Sequence, residues 1–252
     1  MPLTITRLAP EDLSSTEVNK SLTTDRVSAS YKLEYFDVSS VGAVPRDILS
    51  FGDAQWEDLV LTNWPAEIKS PSGLFPVLYI KTADGREIRL VESFVIEHYL
   101  AKQFGLLGDN EWEELQIKTF HSSSLYLRER LTMRVTWNYK EVQEKALESF
   151  LKKDLPLWIE THTKHLKDNG SNGHYVGNKT SLADLQTANV IDHFKCLYKG
   201  DVIVQQIQQG SPEIWKVKET VDNEPRLQKW RQSDEYKTHI AFSQARYANT
   251  GI

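Results

Sequence analysis

The stretch "LFPVLYIKTADGREIRLVESFVIEHYLA", residues 74–101, carries the clearest structural pattern in the chain. Two apolar-rich runs, Val77–Ile80 and Glu87–Val91, flank the dipeptide Asp84–Gly85, which is typical of a hairpin turn. From Ser93 onward the apolar residues recur at three- and four-residue steps, which indicates a helix. The stretch therefore predicts an antiparallel hairpin followed directly by a helix.

Working outward from this stretch, the preceding sequence predicts strands and one short helix. The pattern "YKLEYF" (31–36) is typical of a strand, "VPRDILSFG" (44–52) of a helix, "WEDLVL" (56–61) of a second strand, and residues 62–73 of a loop. After "GLLGDN" (105–110) the periodicity becomes helical throughout. This change near residue 106 indicates a domain boundary, and the predicted helices cover residues 111–137, 140–168, 181–199 and 212–232.

Composition excludes several classes of function. The chain has 252 residues, 40% of them hydrophobic and 26% charged, and a formal net charge of −5, which argues against nucleic-acid binding. No apolar run is long enough to span a membrane. The single Cys196 indicates a reducing compartment, and residues 1–30 have neither a secretory core nor an acid-poor transit composition. We therefore expect a cytoplasmic protein whose first 30 residues form an extension, partly disordered or packed on the surface.

Four features, taken together, resemble the cytosolic glutathione transferases, specifically the tyrosine-using, sigma-like classes. They are "FPVL" (75–78), the later "LVESFVIEHYLA" (90–101), "GNKTSLADL" (177–185), and the spacing between Tyr35 and Arg46. The resemblance implies an α/β thioredoxin-like N-terminal domain followed by an all-α C-terminal domain. On this basis residues 1–30 are the extension, 31–106 the glutathione-binding domain and 110–252 the helical domain.

The resemblance also implies how glutathione binds. Pro76 follows a cis peptide bond, so that the backbone of Phe75 pairs with the cysteinyl part of the tripeptide like an added strand. Glu92 takes the ammonium of the γ-glutamyl group, and Ser93 at a helix start takes its carboxylate. The ordinary alternatives are a trans-proline on an edge strand and a plain N-cap at Ser93.

Two further parts of the site follow from the same resemblance. Trp64 and Lys69 contact the glycyl carboxylate through an indole N–H and an ammonium. Tyr35 donates a hydrogen bond to the glutathione sulfur and so favours the thiolate, since a free cysteine thiol has a pKa of about 8.5. Ser40 is the alternative hydroxyl for that task, because other transferase classes use a serine in this turn.

The electrophile pocket and the departures from the family bear on activity. Leu125, Arg128 and Met133 are candidates for the hydrophobic-substrate wall, although residues at helical spacing like these are more often core or dimer contacts. Val41 stands where several relatives carry an arginine, and "HSSSLY" (121–126) lacks the acid that relatives place there. The histidines do not have metal-ligand spacing, so we expect no metal site.

These observations leave three functions open. The first is a homodimeric detoxification enzyme that uses glutathione as co-substrate and conjugates its thiolate to small hydrophobic electrophiles. The second is a glutathione-dependent isomerase. The third is a non-catalytic ligand-binding or structural protein with the transferase fold, which the departures at Val41 and residues 121–126 favour.

Overall fold

The computed structural model describes residues 3–24, 29–61 and 68–248. The chain divides into two compact units, Met1–Phe104 and Gly105–Ile252. The first is α/β and the second is helical in its described residues, which confirms the predicted fold class.

The first unit contains a four-stranded mixed sheet. The strand bounds are Ser30–Phe36 (β2), Gln55–Leu61 (β3), Val77–Lys81 (β5) and Glu87–Val91 (β6). Strand β2 runs parallel to β3 and antiparallel to β5, and β5 forms the predicted antiparallel hairpin with β6. The strand order is therefore β3-β2-β5-β6, with β6 at one edge.

One face of this sheet is buried by two helices. Along β2 the side chains alternate, and Tyr31, Leu33 and Tyr35 point into the core. Helices α2 (Ala43–Phe51) and α3 (Ser93–Gln103) pack against each other. The observed bounds of these two helices and of the hairpin strands lie close to those that the sequence pattern predicts.

The extension and the predicted loop contain ordered elements that the sequence did not reveal. Strand β1 (Leu3–Ile5) pairs in parallel with β4 (Ile68–Ser70), so the prediction of an uninterrupted loop over residues 62–73 was wrong. Helix α1 (Ser15–Thr23) begins with a capping box in which Ser14 and Glu17 exchange hydrogen bonds. The described part of the extension is therefore packed on the first unit.

The second unit is built from eight described α-helices, and two of them were missed. The helices α8 and α11 were not predicted, the segment 181–199 stops being helical at Lys195, and residues 212–232 form two helices instead of one. Short π-helical turns follow α4 and α5. The bounds are Glu111–Leu131 (α4), Lys140–Ser149 (α5), Leu155–Asp168 (α6), Leu182–Lys195 (α7), Gly200–Gly210 (α8), Pro212–Asp222 (α9), Pro225–Arg231 (α10) and Asp234–Tyr247 (α11).

Helix α7 is the centre of the helical core. The sequence "SLAD" (181–184) predicts a capping box, and the box is present, because Ser181 and Asp184 exchange hydrogen bonds at the first turn. Asp184 is fully buried and also accepts a hydrogen bond of 2.8 Å from the amide of Tyr175. Its role is therefore structural, as the sequence predicts.

Two buried histidines complete this core. The ring of His162 lies 2.5 Å from the hydroxyl of Tyr175 through Nδ1 and 2.9 Å from Oγ of Ser123 through Nε2. Burial lowers the pKa of His162 to about 3, and the pKa of His193 is lowered to about 3 for the same reason, with a contribution from the charge of Arg128. Both imidazoles are therefore neutral in the folded protein at neutral pH.

Cys196 directly follows α7 and is buried. Its side chain is 1% exposed, and its thiol lies 3.5 Å from the carbonyl oxygen of Asp192. Burial raises the pKa of this thiol to about 11, with the charge of Asp192 acting in the same direction. The thiol is therefore protonated and shielded at neutral pH.

Candidate functional site

Three predicted site residues form one row across the sheet. Glu34, Val77 and Val91 are cross-strand neighbours on β2, β5 and β6. Tyr35, Pro76 and Glu92 are each one residue further along at the same end of the sheet, and these three form the row. Because neighbouring strands are about 4.8 Å apart, the row spans roughly 10 Å from Tyr35 to Glu92.

Tyr35 is held by its neighbours at the end of β2. Its ring packs edge-on to Phe36, with centroids 5.2 Å apart, and the guanidinium carbon of Arg46 lies 5.7 Å from the ring centre. A Cβ at Gly42 would come within 2.5 Å of Cδ1 of Tyr35, so this position requires a glycine. The Tyr35 ring is therefore closely confined, and the residue is 5% exposed.

Arg46 fixes the turn between β2 and α2. Its Nε lies 3.1 Å from each carboxylate oxygen of Asp58, while Nη1 and Nη2 donate to the carbonyls of Val38 and Phe36 at 2.7 and 3.2 Å. The guanidinium is 1% exposed. The sequence identified Arg46 only by its spacing from Tyr35, and its bonding role emerges from contacts between separate elements.

The Phe75–Pro76 bond is cis, as the resemblance implies. Pro76 is buried immediately before β5, and Phe75 is half-buried. The rings of Phe75 and Phe36 pack edge-on, with centroids 5.8 Å apart. This contact joins the segment before β5 to the end of β2, next to Tyr35.

Glu92 and Ser93 begin helix α3 with an unusual backbone. Glu92 has φ of 68°, a conformation that is costly for a residue with a side chain, and it occupies the N-cap position. Ser93 is the first helical residue, so the alternative of Ser93 as the N-cap was wrong. Glu92 is exposed and Ser93 half-buried, and the first helical hydrogen bond runs from Ile96 N to Glu92 O. The end of the helix where first-turn amides favour anions is thus next to the row.

The other predicted binding residues are only partly within the described structure. Trp64 lies outside the described residues, and so does the side chain of Lys69, whose backbone belongs to β4. Ser40 is half-buried in a short 3₁₀ turn with φ of 34°, and Val41 follows it there. Ser40 therefore lies in the same turn that Arg46 fixes.

The hydrogen-bonded pair of Tyr79 and Glu34, close to the row, was not predicted from the sequence. The Tyr79 hydroxyl donates to Oε2 of Glu34 at 2.6 Å, and the guanidinium carbon of Arg89 lies 5.6 Å from the Tyr79 ring centre. Burial raises the pKa of Tyr79 well above its usual value, and the Glu34 carboxylate acts in the same direction. The register of Lys32 opposite Tyr79 places this pair on the sheet face opposite Tyr35.

The three candidates for the hydrophobic-substrate wall have different environments in the helical unit. Leu125 is half-buried on α4, and Arg128 is 3% exposed and donates to Glu129 at 2.7 Å. Met133 is 56% exposed in the π-helical turn after α4. Met133 is therefore the most accessible of the three.

The described residues contain neither a cluster of metal-ligating side chains nor a membrane-spanning helix. Within residues 3–24, 29–61 and 68–248, no three His, Cys, Asp or Glu side chains are placed to hold a metal ion. In that part of the chain, no helix combines the length and apolar character needed to cross a bilayer.

Comparison with known proteins identifies the family. A glutathione S-transferase of Anopheles gambiae is 30% identical over 198 residues, which cover 77% of this chain and 92% of that protein. The chain belongs to the glutathione transferase family. The family profile described as "Glutathione S-transferase, C-terminal domain" matches residues 128–234.

Solved glutathione transferase structures agree with this fold. Prostaglandin synthase D of Nilaparvata lugens is 28% identical with a TM-score of 0.68, covering 81% of this chain and 98% of that chain. The sigma class transferase of Fasciola hepatica has a TM-score of 0.69 at 19% identity, covering 81% and 96%, which shows the fold alone. The resemblance stated from the sequence is therefore confirmed at the level of the family.

Proposed function

We propose that this chain binds glutathione along the row Tyr35–Pro76–Glu92 and adds its thiolate to a small hydrophobic electrophile. The observation that best supports this proposal is that Tyr35, Pro76 and Glu92 lie next to paired residues of three neighbouring strands. They are therefore side by side at one end of the sheet. The row spans roughly 10 Å, and a fully extended tripeptide also spans about 10 Å.

The chemistry of each position fits one part of the tripeptide. Glu92 and the start of α3 suit the γ-glutamyl ammonium and carboxylate, since a carboxylate pairs with the first and helix amides attract the second. The backbone of Phe75 suits the cysteinyl part, which adds as a short strand. We propose Trp64 and Lys69 as the contacts of the glycyl carboxylate. Val41, which stands where several relatives carry an arginine, contributes no charge to this contact.

Tyr35 is our proposed catalytic residue. A phenol that donates a hydrogen bond to the bound sulfur favours the thiolate, which is the nucleophile in conjugation. The close confinement of the ring by Phe36, Gly42 and Arg46 supports a fixed hydroxyl position. Ser40 in the neighbouring turn remains the alternative donor.

We propose Leu125, Arg128 and Met133 for the electrophile side, with Met133 as the exposed apolar contact. We further propose a cytoplasmic detoxification enzyme, with domains at 31–106 and 110–252 after an extension at 1–30. Glutathione would be its co-substrate, and no metal is required.

A homodimer is also part of the proposal. Trp112, Leu115 and Tyr126 of α4 are 67%, 52% and 59% exposed, and large apolar side chains on one surface helix favour a covered face. A second copy of this chain is the expected partner, because twofold homodimers are the commonest closed assembly.

Glutathione-dependent isomerisation is the second candidate. It is favoured by the similarity to the solved prostaglandin synthase D at 28% identity. Both reactions need the same activated thiolate, so they differ in the second substrate. A non-catalytic binder would keep the row but fail to turn over either class of substrate.

The test starts with retention of the purified chain on immobilised glutathione, followed by conjugation of a generic aryl halide. We expect retention and turnover for the wild type. Glu92→Ala is expected to lose retention, whereas Glu92→Gln keeps a polar acceptor and serves as the matched variant. Retention without turnover of the aryl halide or of an isomerisation substrate would identify a binder, and no retention would contradict the proposal.

A further inference from the structure

The N-terminal extension reaches the segment that precedes the candidate site. Strand β1 pairs with β4 so that Leu3, Thr4 and Ile5 lie opposite Ile68, Lys69 and Ser70. The amide of Thr6 then donates to the carbonyl of Ser70 at 3.3 Å. Because β4 contains Lys69, a proposed glycyl contact, and lies five residues before Phe75, the proposed cysteinyl contact, this pairing holds the backbone that leads into the candidate site.

Ser70 links β4 to Leu74, the residue before Phe75. Its side chain is fully buried, and its hydroxyl donates to the carbonyl of Leu74 at 2.7 Å. The same hydroxyl accepts from the amide of Ser72 at 3.4 Å, and its carbonyl accepts from the amide of Gly73 at 3.4 Å. Ser70 therefore shapes the turn that delivers Phe75 and Pro76 to the row.

The middle of the extension covers the sheet edge. The carbonyl of Leu8 accepts a hydrogen bond of 2.7 Å from the amide of Arg89 on β6. Since β6 is an edge strand, this amide would otherwise be available to another strand. The contact fixes the extension along the hairpin between its two ends.

Helix α1 anchors the other end of the extension to the hairpin turn. The hydroxyl of Ser21 donates to Asp84 at 2.8 Å, and Nη1 of Arg86 lies 3.4 Å from the same hydroxyl. Ser21 is 4% exposed, and Asp84 also accepts from Thr82 at 2.5 Å. Hydrogen bonds from Thr82 and Ser21 hold the pKa of Asp84 below its usual value, so the anchor carries a charged acceptor.

We propose that residues 3–24 form a strap that, through Ser70, positions the Leu74–Phe75–Pro76 segment for glutathione. The inference rests on the proposed function of the row. A segment already held in its binding conformation loses less conformational freedom when ligand binds, so the strap raises glutathione affinity. Thr6 and Ser70 are thus positioning residues, and the thiol-activating Tyr35 is unaffected by them.

The experiment uses the full chain and two variants, one that releases the strap from Ser70 and one that releases Ser70 from Leu74. Thr6→Pro removes the amide that donates to Ser70, and Ser70→Ala removes the hydroxyl bound to Leu74. Each is expected to raise the dissociation constant of glutathione, measured by titration calorimetry, by about three- to tenfold. The rate constant at saturating glutathione stays unchanged, so the KM for glutathione rises while kcat does not.

Two controls separate positioning from simple stabilisation. Thr23→Ala alters an exposed hydroxyl that bonds only within α1 among the contacts described for it, and it is expected to leave glutathione affinity unchanged. Ser21→Ala releases the distant anchor and tests the strap if Thr6→Pro does not unfold cooperatively. If the strap only stabilises the fold, Thr6→Pro and Ser21→Ala should lower the melting temperature and leave the dissociation constant of glutathione unchanged.

The outcomes distinguish this inference from the proposed function. A wild-type chain that gives no binding heat with glutathione contradicts the proposed function itself. If the wild type binds and both Thr6→Pro and Ser21→Ala bind equally well, the strap proposal is overturned and the row survives, even where Ser70→Ala binds more weakly. Weaker affinity with unchanged kcat supports the strap.

Discussion

The guanidinium carbon of Arg46 lies 5.7 Å from the centre of the Tyr35 ring, and this contact joins helix α2 to the end of β2. The same guanidinium binds the backbone carbonyls of Phe36 and Val38. The spacing between Tyr35 and Arg46 in the sequence thus has a physical meaning. The turn between β2 and α2 separates the two residues, and the hydrogen bonds from Arg46 to the carbonyls of Phe36 and Val38 hold that turn in place.

The first prediction concerns thiol activation. Tyr35→Phe keeps the packed ring and removes only the hydroxyl, so glutathione affinity should stay nearly unchanged. A hydrogen bond to a charged group contributes about 1.5–3 kcal/mol, so turnover should fall roughly ten- to a hundredfold at neutral pH. The thiolate absorbance of bound glutathione should titrate at a higher pH in this variant.

Ser40→Ala is the matched variant for that experiment. It removes the neighbouring hydroxyl and should change neither turnover nor the thiolate titration. If Ser40→Ala abolishes the thiolate signal while Tyr35→Phe keeps it, Ser40 is the donor and the assignment of Tyr35 is wrong.

The second prediction concerns the Arg46–Asp58 pair, whose side chains are 1% and 12% exposed. Asp58→Asn leaves a buried guanidinium without its carboxylate, and removing one partner of such a pair costs about 3 kcal/mol. We expect the free energy of unfolding in urea to fall by about that amount.

An exposed ion pair between β2 and β3 provides the control. Lys32 and Glu57 are paired at 3.2 Å but are 54% and 57% exposed. Glu57→Gln should change the free energy of unfolding by less than about 1 kcal/mol, since exposed ion pairs are worth little. Equal losses at Asp58 and Glu57 would show that burial is not the deciding factor.

The sequence predicted the elements whose signals are local and missed those that depend on distant partners. The hairpin, the start of α3 and the Ser181 capping box were each readable within about ten residues. Strand β4 was not, because it forms by pairing with β1 more than sixty positions earlier in the chain. The capping box at Ser14 and Glu17 was locally readable, yet the Ser- and Thr-rich composition of the extension obscured it.

The site divides in the same way. Pro76, Glu92 and Ser93 were predicted as site residues from their order along the chain, and they lie at one end of the sheet. The bonds from Arg46 to Asp58 and from Ser70 to Leu74 were not foreseen, because they join different elements or depend on the conformation of a turn. Register between strands is what brings Tyr35 into line with Pro76, and no single segment encodes it.

The third prediction concerns acid stability and His162. Its folded pKa of about 3 lies below the unfolded value of about 6.5, so the unfolded chain binds the proton first as pH falls. The contribution of neutral His162 to the free energy of unfolding is fully present above about pH 6.5. It is lost progressively toward pH 3, at up to about 1.4 kcal/mol per pH unit. His193 should act in the same direction.

His162→Gln removes one of these titrations while keeping a neutral polar side chain. Urea unfolding at pH 7, 6 and 5 should therefore give a shallower loss of stability than in the wild type, by about 1 kcal/mol per pH unit. Parallel curves for the two proteins would contradict the assignment.

The fourth prediction concerns the oligomer. Sedimentation at micromolar concentration should give about 58 kDa, twice the 29.0 kDa of one chain. Trp112→Lys on the exposed surface of α4 should shift the mass toward the monomer. Leu157→Lys on α6 is the control, since Leu157 is 64% exposed and lies outside the proposed surface. A monomeric wild type would reject the dimer.

The burial of Cys196 makes the chain a ready host for spectroscopic labels. It is the single cysteine of the sequence, and its protonated thiol is shielded from reagents in the folded protein. A cysteine introduced at exposed Thr23 would then be the one fast-reacting thiol, and a fluorophore there would sit on α1. Fluorescence anisotropy from that dye would follow the attachment of the strap in real time, without removing any native residue that the fold depends on.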